Sequence, residues 1–291
     1  MPSQAPFPLH HARTAVRRVA RSLASRLRGR PAAPPDPLAE LRRQLKVTDP
    51  ATPPALPGDL WRGWVNRALR SSAEVDAAVA EMERCGLPVH KDRPKNWDLL
   101  AAIGSILEVA GPADPILDMG APRYSRLLPA LALLGYRDLR GIDLAHDAPL
   151  LVGPIRYERM DLTRTSFPDG SFAAIACLSV IEHGVDVDAY LREAARLLRP
   201  GGLLVTSTDF WCEPVETGGL EAYGGPVRIF GPADIDGWVE RAAELGLHPV
   251  RPLDLTCSER VVEWARFGLR YTFLLLNLRR EPVRSADRPA G

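Results

Sequence analysis

After Gly111-Pro112 the chain alternates short apolar runs with segments whose apolar positions recur every three or four residues. That alternation is the signature of β-strands joined by crossover helices around a parallel sheet. The pattern predicts strands at 115–120, 139–144, 155–162, 173–180 and 202–209, with two more near 247–255 and 271–278. Helices are expected from Arg123 to Leu134, from Ala233 to Leu245, and between the fourth and fifth strands. In that last helix Val187, Tyr190, Leu191, Ala194 and Leu198 share one face, and Pro200-Gly201-Gly202 stops it. Upstream, Val75, Ala78, Val79 and Met82 mark a helix ending near Gly86-Leu87-Pro88, and a second runs from Asn96 to Val109. The expected fold is α/β, a Rossmann-like doubly wound, mostly parallel seven-stranded sheet with an antiparallel last strand.

The segments before the sheet differ in character. Val16, Val19, Ala20, Leu23 and Leu27 fall at helical spacing within 11–28 and arginines take the other face, which makes a basic amphipathic helix able to touch an anionic membrane. A solvated basic extension, or a transit peptide, has the same pattern. Residues 31–58 contain eight prolines and read as a semi-extended linker with one short helix over Leu38 to Lys46. The expected organisation is a basic, Pro-rich, largely flexible arm and linker over 1–58, a helical lead-in or cap over 59–110, the sheet domain over 111–280, and a flexible tail over 281–291.

Charge narrows the partners. The 291 residues carry a net charge of +1, yet the first thirty hold seven arginines and no acid, so the rest is mildly acidic. Nucleic-acid affinity needs clustered Lys and Arg, so no nucleic-acid partner is expected for the main domain. Cys85, Cys177, Cys212 and Cys257 are too far apart for a C-x-x-C pair, and a reducing cytoplasm suits them. The longest apolar stretch, Phe172 to Ile181, is about half of the roughly 20 residues that span a bilayer as a helix. The N-terminus lacks the apolar core of a signal peptide.

Candidate chemistry gathers at the predicted strand ends. Ile116-Leu117-Asp118-Met119-Gly120 ends the first strand with an acid and a glycine. Gly141-Ile142-Asp143 puts a carboxylate at the end of the second, 23 residues after Gly120. Ligands bind beyond the carboxyl ends of such strands, and an acid at this spacing suits the hydroxyls of a ribose. Gly120-Ala121-Pro122-Arg123-Tyr124-Ser125 lacks the later glycines of G-x-G-x-x-G, which disfavours a pyrophosphate cofactor.

The later segments form an ordered series: Met160-Asp161-Leu162, then Phe167-Pro168-Asp169-Gly170-Ser171-Phe172, then Ser179-Val180-Ile181-Glu182-His183, then Leu198-Arg199-Pro200-Gly201-Gly202. This series resembles the class I S-adenosylmethionine-dependent methyltransferases, especially the small-molecule branch with D-x-G, FPDGSFD, EH and LRPGG elements. Arg228-Ile229-Phe230 and the helix from Ala233 to Leu245 are similar to the late segment of methyltransferases from glycan and secondary-metabolite pathways. The chain departs from the pattern at Pro122, Tyr124 and Ala173.

The resemblance implies S-adenosyl-L-methionine as cofactor and methyl transfer to a small-molecule acceptor, a hydroxyl on a sugar, glycolipid precursor or secondary metabolite. Asp118 and Gly120, with Ser125, would line the methionine moiety, Asp143 the ribose, and Asp161 the adenine amino group with Leu162 against the ring. Leu144 and Ser179 complete the cofactor-side set. His183 is the candidate base, because an imidazole can remove a hydroxyl proton. Its other reading is a backbone-bonded residue that shapes the pocket. Asp209, Trp211, Tyr223 and Arg228 are acceptor-side candidates, or loop packing. Lys95-Asn96-Trp97-Asp98 reads as a helix cap, with a lid over the cofactor as the alternative. Relatives in ubiquinone synthesis hold a cation at E-x-x-E-H, but Ser179 replaces the first acid, leaving Glu182, His183 and Asp186, and no metal is expected. Two rival functions stay open: an inactive methyltransferase-like scaffold, for which the loop at 122–124 argues, and a nucleic-acid methyltransferase guided by the arm.

Overall fold

The structure is a computed structural model that describes residues 38–45 and 54–281. The expected basic helix at 11–28, much of the Pro-rich linker and the tail after Glu281 lie outside the described residues. The short linker helix is present as α1 (Ala39–Leu45), with Leu41 buried. A 3-10 turn over Leu60–Trp64, strand β1 (Arg67–Ala68) and helices α2 (Ser72–Arg84) and α3 (Lys95–Val109) lead to the sheet.

The remaining elements alternate as the apolar pattern requires. They are β2 (Ile116–Met119), α4 (Leu127–Leu133), β3 (Leu139–Ile142), β4 (Leu150–Val152), β5 (Ile155–Glu158), β6 (Phe172–Leu178), α5 (Val187–Leu197) and β7 (Leu198–Phe210). The hairpin β8 (Glu221–Ala222) and β9 (Gly225–Pro226), helix α6 (Pro232–Glu244), and β10 (Leu247–Pro249), β11 (Val262–Trp264) and β12 (Leu269–Arg280) follow.

The main sheet runs β1-β12-β7-β6-β2-β3-β5-β4, with β10 and β11 also paired to β12. From β5 to β7 neighbours are parallel, and β12 lies antiparallel on β7, from Thr272 opposite Phe210 to Arg279 opposite Leu203. All seven expected strands are present, but the sheet has ten, because β1 and β11 cover the outer edge of β12 and β4 closes back on β5. Such short strands carry too few residues to show alternation, and pairing alone makes them.

Two apolar layers flank the sheet. Helices α2, α3 and α4 bury Met82, Trp97, Leu100, Ile103, Leu127 and Leu131 on one face. Helices α5 and α6 bury Tyr190, Leu191, Ala194, Ile235 and Trp238 on the other. Every residue of α3 from Asn96 to Ile106 is buried, so the lead-in belongs to the same core as the sheet. Gly104 makes this possible, since a Cβ there would lie 2.2 Å from the Trp61 ring. The packing sets the N-terminus of α3 beside the ends of β6 and β7.

Element boundaries shift where turns replace regular backbone. The helix expected from Arg123 begins at Leu127, because Gly120 has φ +76° and Ser125 N donates to the Pro122 carbonyl at 2.8 Å, holding 120–125 as a turn. Strand β6 stops at Leu178 because Ser179 is left-handed, with φ 53°. Strand β5 stops at Glu158, and β10 runs only from Leu247 to Pro249. Among the described residues no helix is long and apolar enough to cross a membrane.

Candidate active site

A cleft of about 1030 Å³ opens over the carboxyl ends of β2, β3, β5 and β6. Asp118, Gly120, Ser125, Asp143, Leu144, Asp161, Leu162 and Ser179, all expected on the cofactor side, line it, and so do His183 and Tyr223. The topology explains the convergence, since each lies at or just beyond the end of a parallel strand.

Each acid of this side is held locally. Asp118 accepts a hydrogen bond from Ser125 Oγ at 3.0 Å. Asp143 Oδ1 accepts from Ala145 N at 2.7 Å, and Asp161 Oδ1 accepts from the backbone N and hydroxyl of Thr163 at 2.9 and 2.7 Å. Such Asx turns present the remaining carboxylate oxygen outward. Asp118 is buried, and burial, aided by the charge of Asp143, pushes its carboxyl up to about 7 against the lowering effect of Ser125. Gly120 forms a close cradle: a Cβ there would come within 2.4 Å of Val180 Cγ2. Leu144 is 62% exposed and Tyr124 61%, so both stand at the rim with apolar surface uncovered.

The other side of the cleft is assembled from distant segments. Lys95 and Asp98 from the first turn of α3 line the wall, together with His90 and Asp92 of the preceding loop. Asp98 is buried; its Oδ1 accepts from Leu99 N at 2.9 Å and its Oδ2 from Ser207 Oγ at 2.5 Å. Ser207 Oγ also accepts from Ser179 N at 3.1 Å, linking α3, β6 and β7 in one chain of bonds. Burial raises Asp98 to about 6 and Glu182 to about 7, in each case against the pull of Lys95. Glu182 accepts from Thr208 Oγ1 at 3.1 Å and shares a hydrogen bond with Asp209, whose carboxyl burial lifts well above its usual range. Two like charges in such contact disfavour joint ionisation, which adds to the upward push of burial.

His183 sits at the mouth, its ring 4.8 Å from that of Tyr223 and 6.1 Å from that of Trp264. Burial and the nearby Lys95 charge depress its imidazole to about 4, so it is neutral at pH 7. Among the described residues neither His183 Nδ1 nor Ser179 Oγ has a hydrogen-bond partner, although both are buried. Both residues line the cleft, and an unpaired buried polar atom there calls for a hydrogen-bond partner. The β8–β9 hairpin is seated on this turn, because a Cβ on Gly225 would lie 2.2 Å from the His183 carbonyl oxygen.

Three acceptor-side candidates are not brought to the cleft wall. Asp209 is buried behind it, hydrogen-bonded to Tyr271 as well as Glu182. Trp211 is buried under the Arg260 guanidinium, 4.4 Å from its ring. Arg228 lies outside, stacked 4.8 Å from the Phe230 ring and bonded to Asp234 at 2.7 Å. Asp209 lies within β7, buried behind the cleft wall, and the chain beyond β7 carries Trp211 and Arg228 away from the cleft. Asp186 caps α5 through Ala189 N, and among the described residues no three His, Cys, Asp or Glu side chains gather as a metal cluster. Lys95 and Asp98, read in the sequence as a helix cap or a lid over the cofactor, belong to the cleft wall. Glu182 was legible only as a possible metal ligand.

Residues 117–206 match the methyltransferase domain family. In that segment the chain is similar to the S-adenosylmethionine-dependent methyltransferases. Ubiquinone biosynthesis O-methyltransferase of Xanthomonas campestris pv. campestris is 35% identical over 133 residues, covering 42% of this chain and 52% of that protein. The 27-O-demethylrifamycin SV methyltransferase of Amycolatopsis mediterranei is 32% identical over 120 residues, covering 40% of this chain and 43% of that protein. The chain thus spans about half the length of the curated relatives it matches. Among solved structures, geranyl diphosphate C-methyltransferase from Streptomyces coelicolor A3(2) aligns with 86% of this chain and 100% of its own, at TM-score 0.48 and 19% identity. The methyltransferase match covers β2 through most of β7, the part of the sheet that carries Asp118, Asp143, Asp161 and His183.

Proposed function

We propose that the protein transfers a methyl group from S-adenosylmethionine to an oxygen of a small-molecule acceptor. The observation that carries this reading is the single cleft in which three strand-end acids and a glycine cradle face a neutral imidazole. Its volume of about 1030 Å³ lies at the upper end of small-molecule sites and has room for a nucleoside cofactor and a second small molecule. An oxygen acceptor is supported by the Xanthomonas relative, which is named as an O-methyltransferase. A hydroxyl on a sugar, glycolipid precursor or secondary metabolite remains the acceptor class of this reading.

Asp118, Gly120 and Ser125 would hold the methionine end, Asp143 the ribose hydroxyls, and Asp161 with Leu162 the adenine. Leu144 at the rim and Ser179 through its unpartnered hydroxyl would complete the cofactor contacts. The bound cofactor supplies an electrophilic methyl on a sulfonium leaving group, so catalysis rests on alignment of the acceptor oxygen and exclusion of water. Neutral His183 would accept a hydrogen bond from the acceptor and orient it. Tyr223, 77% exposed and left-handed with φ 54°, would close over the acceptor from the β8–β9 hairpin. We take residues 59–280 as one catalytic unit, since the lead-in helix α3 contributes wall residues as well as core. A cytoplasmic setting is supported by the four free thiols.

Calorimetric titration with S-adenosylhomocysteine, on the protein and on Asp143→Ala, tests the reading. Saturable binding that the variant loses is the expected result. A folded protein that binds neither S-adenosylmethionine nor S-adenosylhomocysteine would be a scaffold built on this fold.

A further inference from the structure

The lysine in the cleft wall has unused binding capacity. Lys95 lines the cleft, and its ammonium finds no hydrogen-bond or ion-pair partner among the described residues. Its nearest aromatic contact is the Phe273 ring, 5.7 Å away. Burial alone would favour loss of its proton, but Asp98, Glu182, Asp209 and Asp92 together outweigh that and keep it charged. Those carboxyls are themselves engaged: Asp98 by Leu99 N and Ser207 Oγ, Glu182 by Thr208 Oγ1, and Asp209 by Glu182 and Tyr271. The cluster therefore fixes the charge without consuming the ammonium's donors.

The imidazole beside it is a poor proton acceptor. His183 is close enough to Lys95 to feel its charge, which with burial keeps the imidazole unprotonated. Asp98, the carboxylate in the same wall, already accepts a bond on each oxygen. An oxygen that arrives ionised needs no base and would meet an ammonium with free donors. Charge-assisted bonds to a desolvated cation are the strong ones.

We propose that Lys95 is the anion-binding residue of the acceptor site, and that the acceptor enters as an acid whose ionised oxygen docks on the Lys95 ammonium beside His183. The inference rests on the methyl-transfer reading above and replaces its neutral hydroxyl acceptor with an ionised oxygen. In that reaction the charged oxygen donates its electron pair to form the new O–C bond. The C–S bond breaks, its electron pair stays on sulfur as a neutral thioether, and no proton has to be removed. The acceptor class is an anionic oxygen, from a carboxylate, a phosphate or an acidic hydroxyl.

The test uses the full chain saturated with S-adenosylhomocysteine and titrated with matched probes. Benzoate is compared with benzamide, 4-nitrophenolate with 4-nitroanisole, and inorganic phosphate stands for the third source. At least one anion should bind about tenfold or more tightly than its neutral partner, and Lys95→Gln should lose that preference while Lys95→Arg keeps most of it. S-adenosylhomocysteine affinity should be unchanged in both variants, and circular dichroism establishes that they fold. If Lys95→Gln does not fold, the anion-to-neutral ratio of the wild-type protein and of Lys95→Arg decides. Anions that bind no better than their neutral partners, or a preference that survives Lys95→Gln, overturn the proposal while leaving the cofactor site intact. Failure of the wild-type protein to bind S-adenosylhomocysteine overturns the underlying reading instead.

Discussion

On the cofactor side of the cleft, Asp118, Asp143 and Asp161 are each held by a residue seven or fewer positions away. On the acceptor side Asp98 is held by Ser207, 109 positions away, and Glu182 by Thr208, 26 positions away. The first arrangement is a set of strand-end turns, and a turn of that kind carries its chemistry wherever the strand goes. The second exists only when α3 packs across the ends of β6 and β7. In the proposed function, cofactor binding is thus encoded locally and recognition of the acceptor in the packing.

Breaking the local half should have the largest effect. Gly120→Ala combines a left-handed backbone with a Cβ placed 2.4 Å from Val180 Cγ2, and strain and overpacking together should cost about 2–4 kcal/mol. Loss of S-adenosylhomocysteine binding by roughly 100-fold or more in calorimetry, with a lowered unfolding midpoint, is the expected outcome. Asp143→Ala removes a carboxylate from an exposed turn, so binding should weaken about 10- to 100-fold while the unfolding midpoint barely moves. Equal damage to stability would show that Asp143 is structural.

A pH titration sharpens the contrast. Asp118 is held up to about 7 by burial, so in the free protein it is mostly protonated at pH 6 and mostly ionised at pH 8. A ligand ammonium favours the carboxylate, so binding releases a proton and affinity for S-adenosylhomocysteine should rise by about tenfold across that interval. Asp118→Asn should flatten the profile, and a slope that persists in that variant would assign the effect elsewhere. The smallest expected effect comes from the acceptor half. Gly225→Ala should displace the β8–β9 hairpin from the His183 turn and lower kcat/KM several-fold, leaving cofactor affinity unchanged. A fall in cofactor affinity of the same size would join the two halves into one unit.

The apolar alternation was enough to read the parallel sheet, because strands buried on both faces and helices buried on one leave different periods in the chain. The short strands β1, β4 and β11 left no such trace, and the displacement of Arg228 from the cleft depended on a turn with no periodic signal. Cys212 and Cys257, unremarkable 45 positions apart, become neighbours, with Cys212 N donating to Cys257 Sγ at 2.8 Å.

By itself the sequence determined the order of strands and helices, the acids at 118, 143 and 161 beyond the strand ends, and the domain type, since each depends on residues close along the chain. Only the tertiary structure decided that Lys95, Asp98 and His183 line one cleft, that Glu182 and Asp209 lie against each other behind it, and that Arg228 points away. Those relations depend on how segments far apart in sequence pack, and burial in that packing is what gives the charges their unusual states.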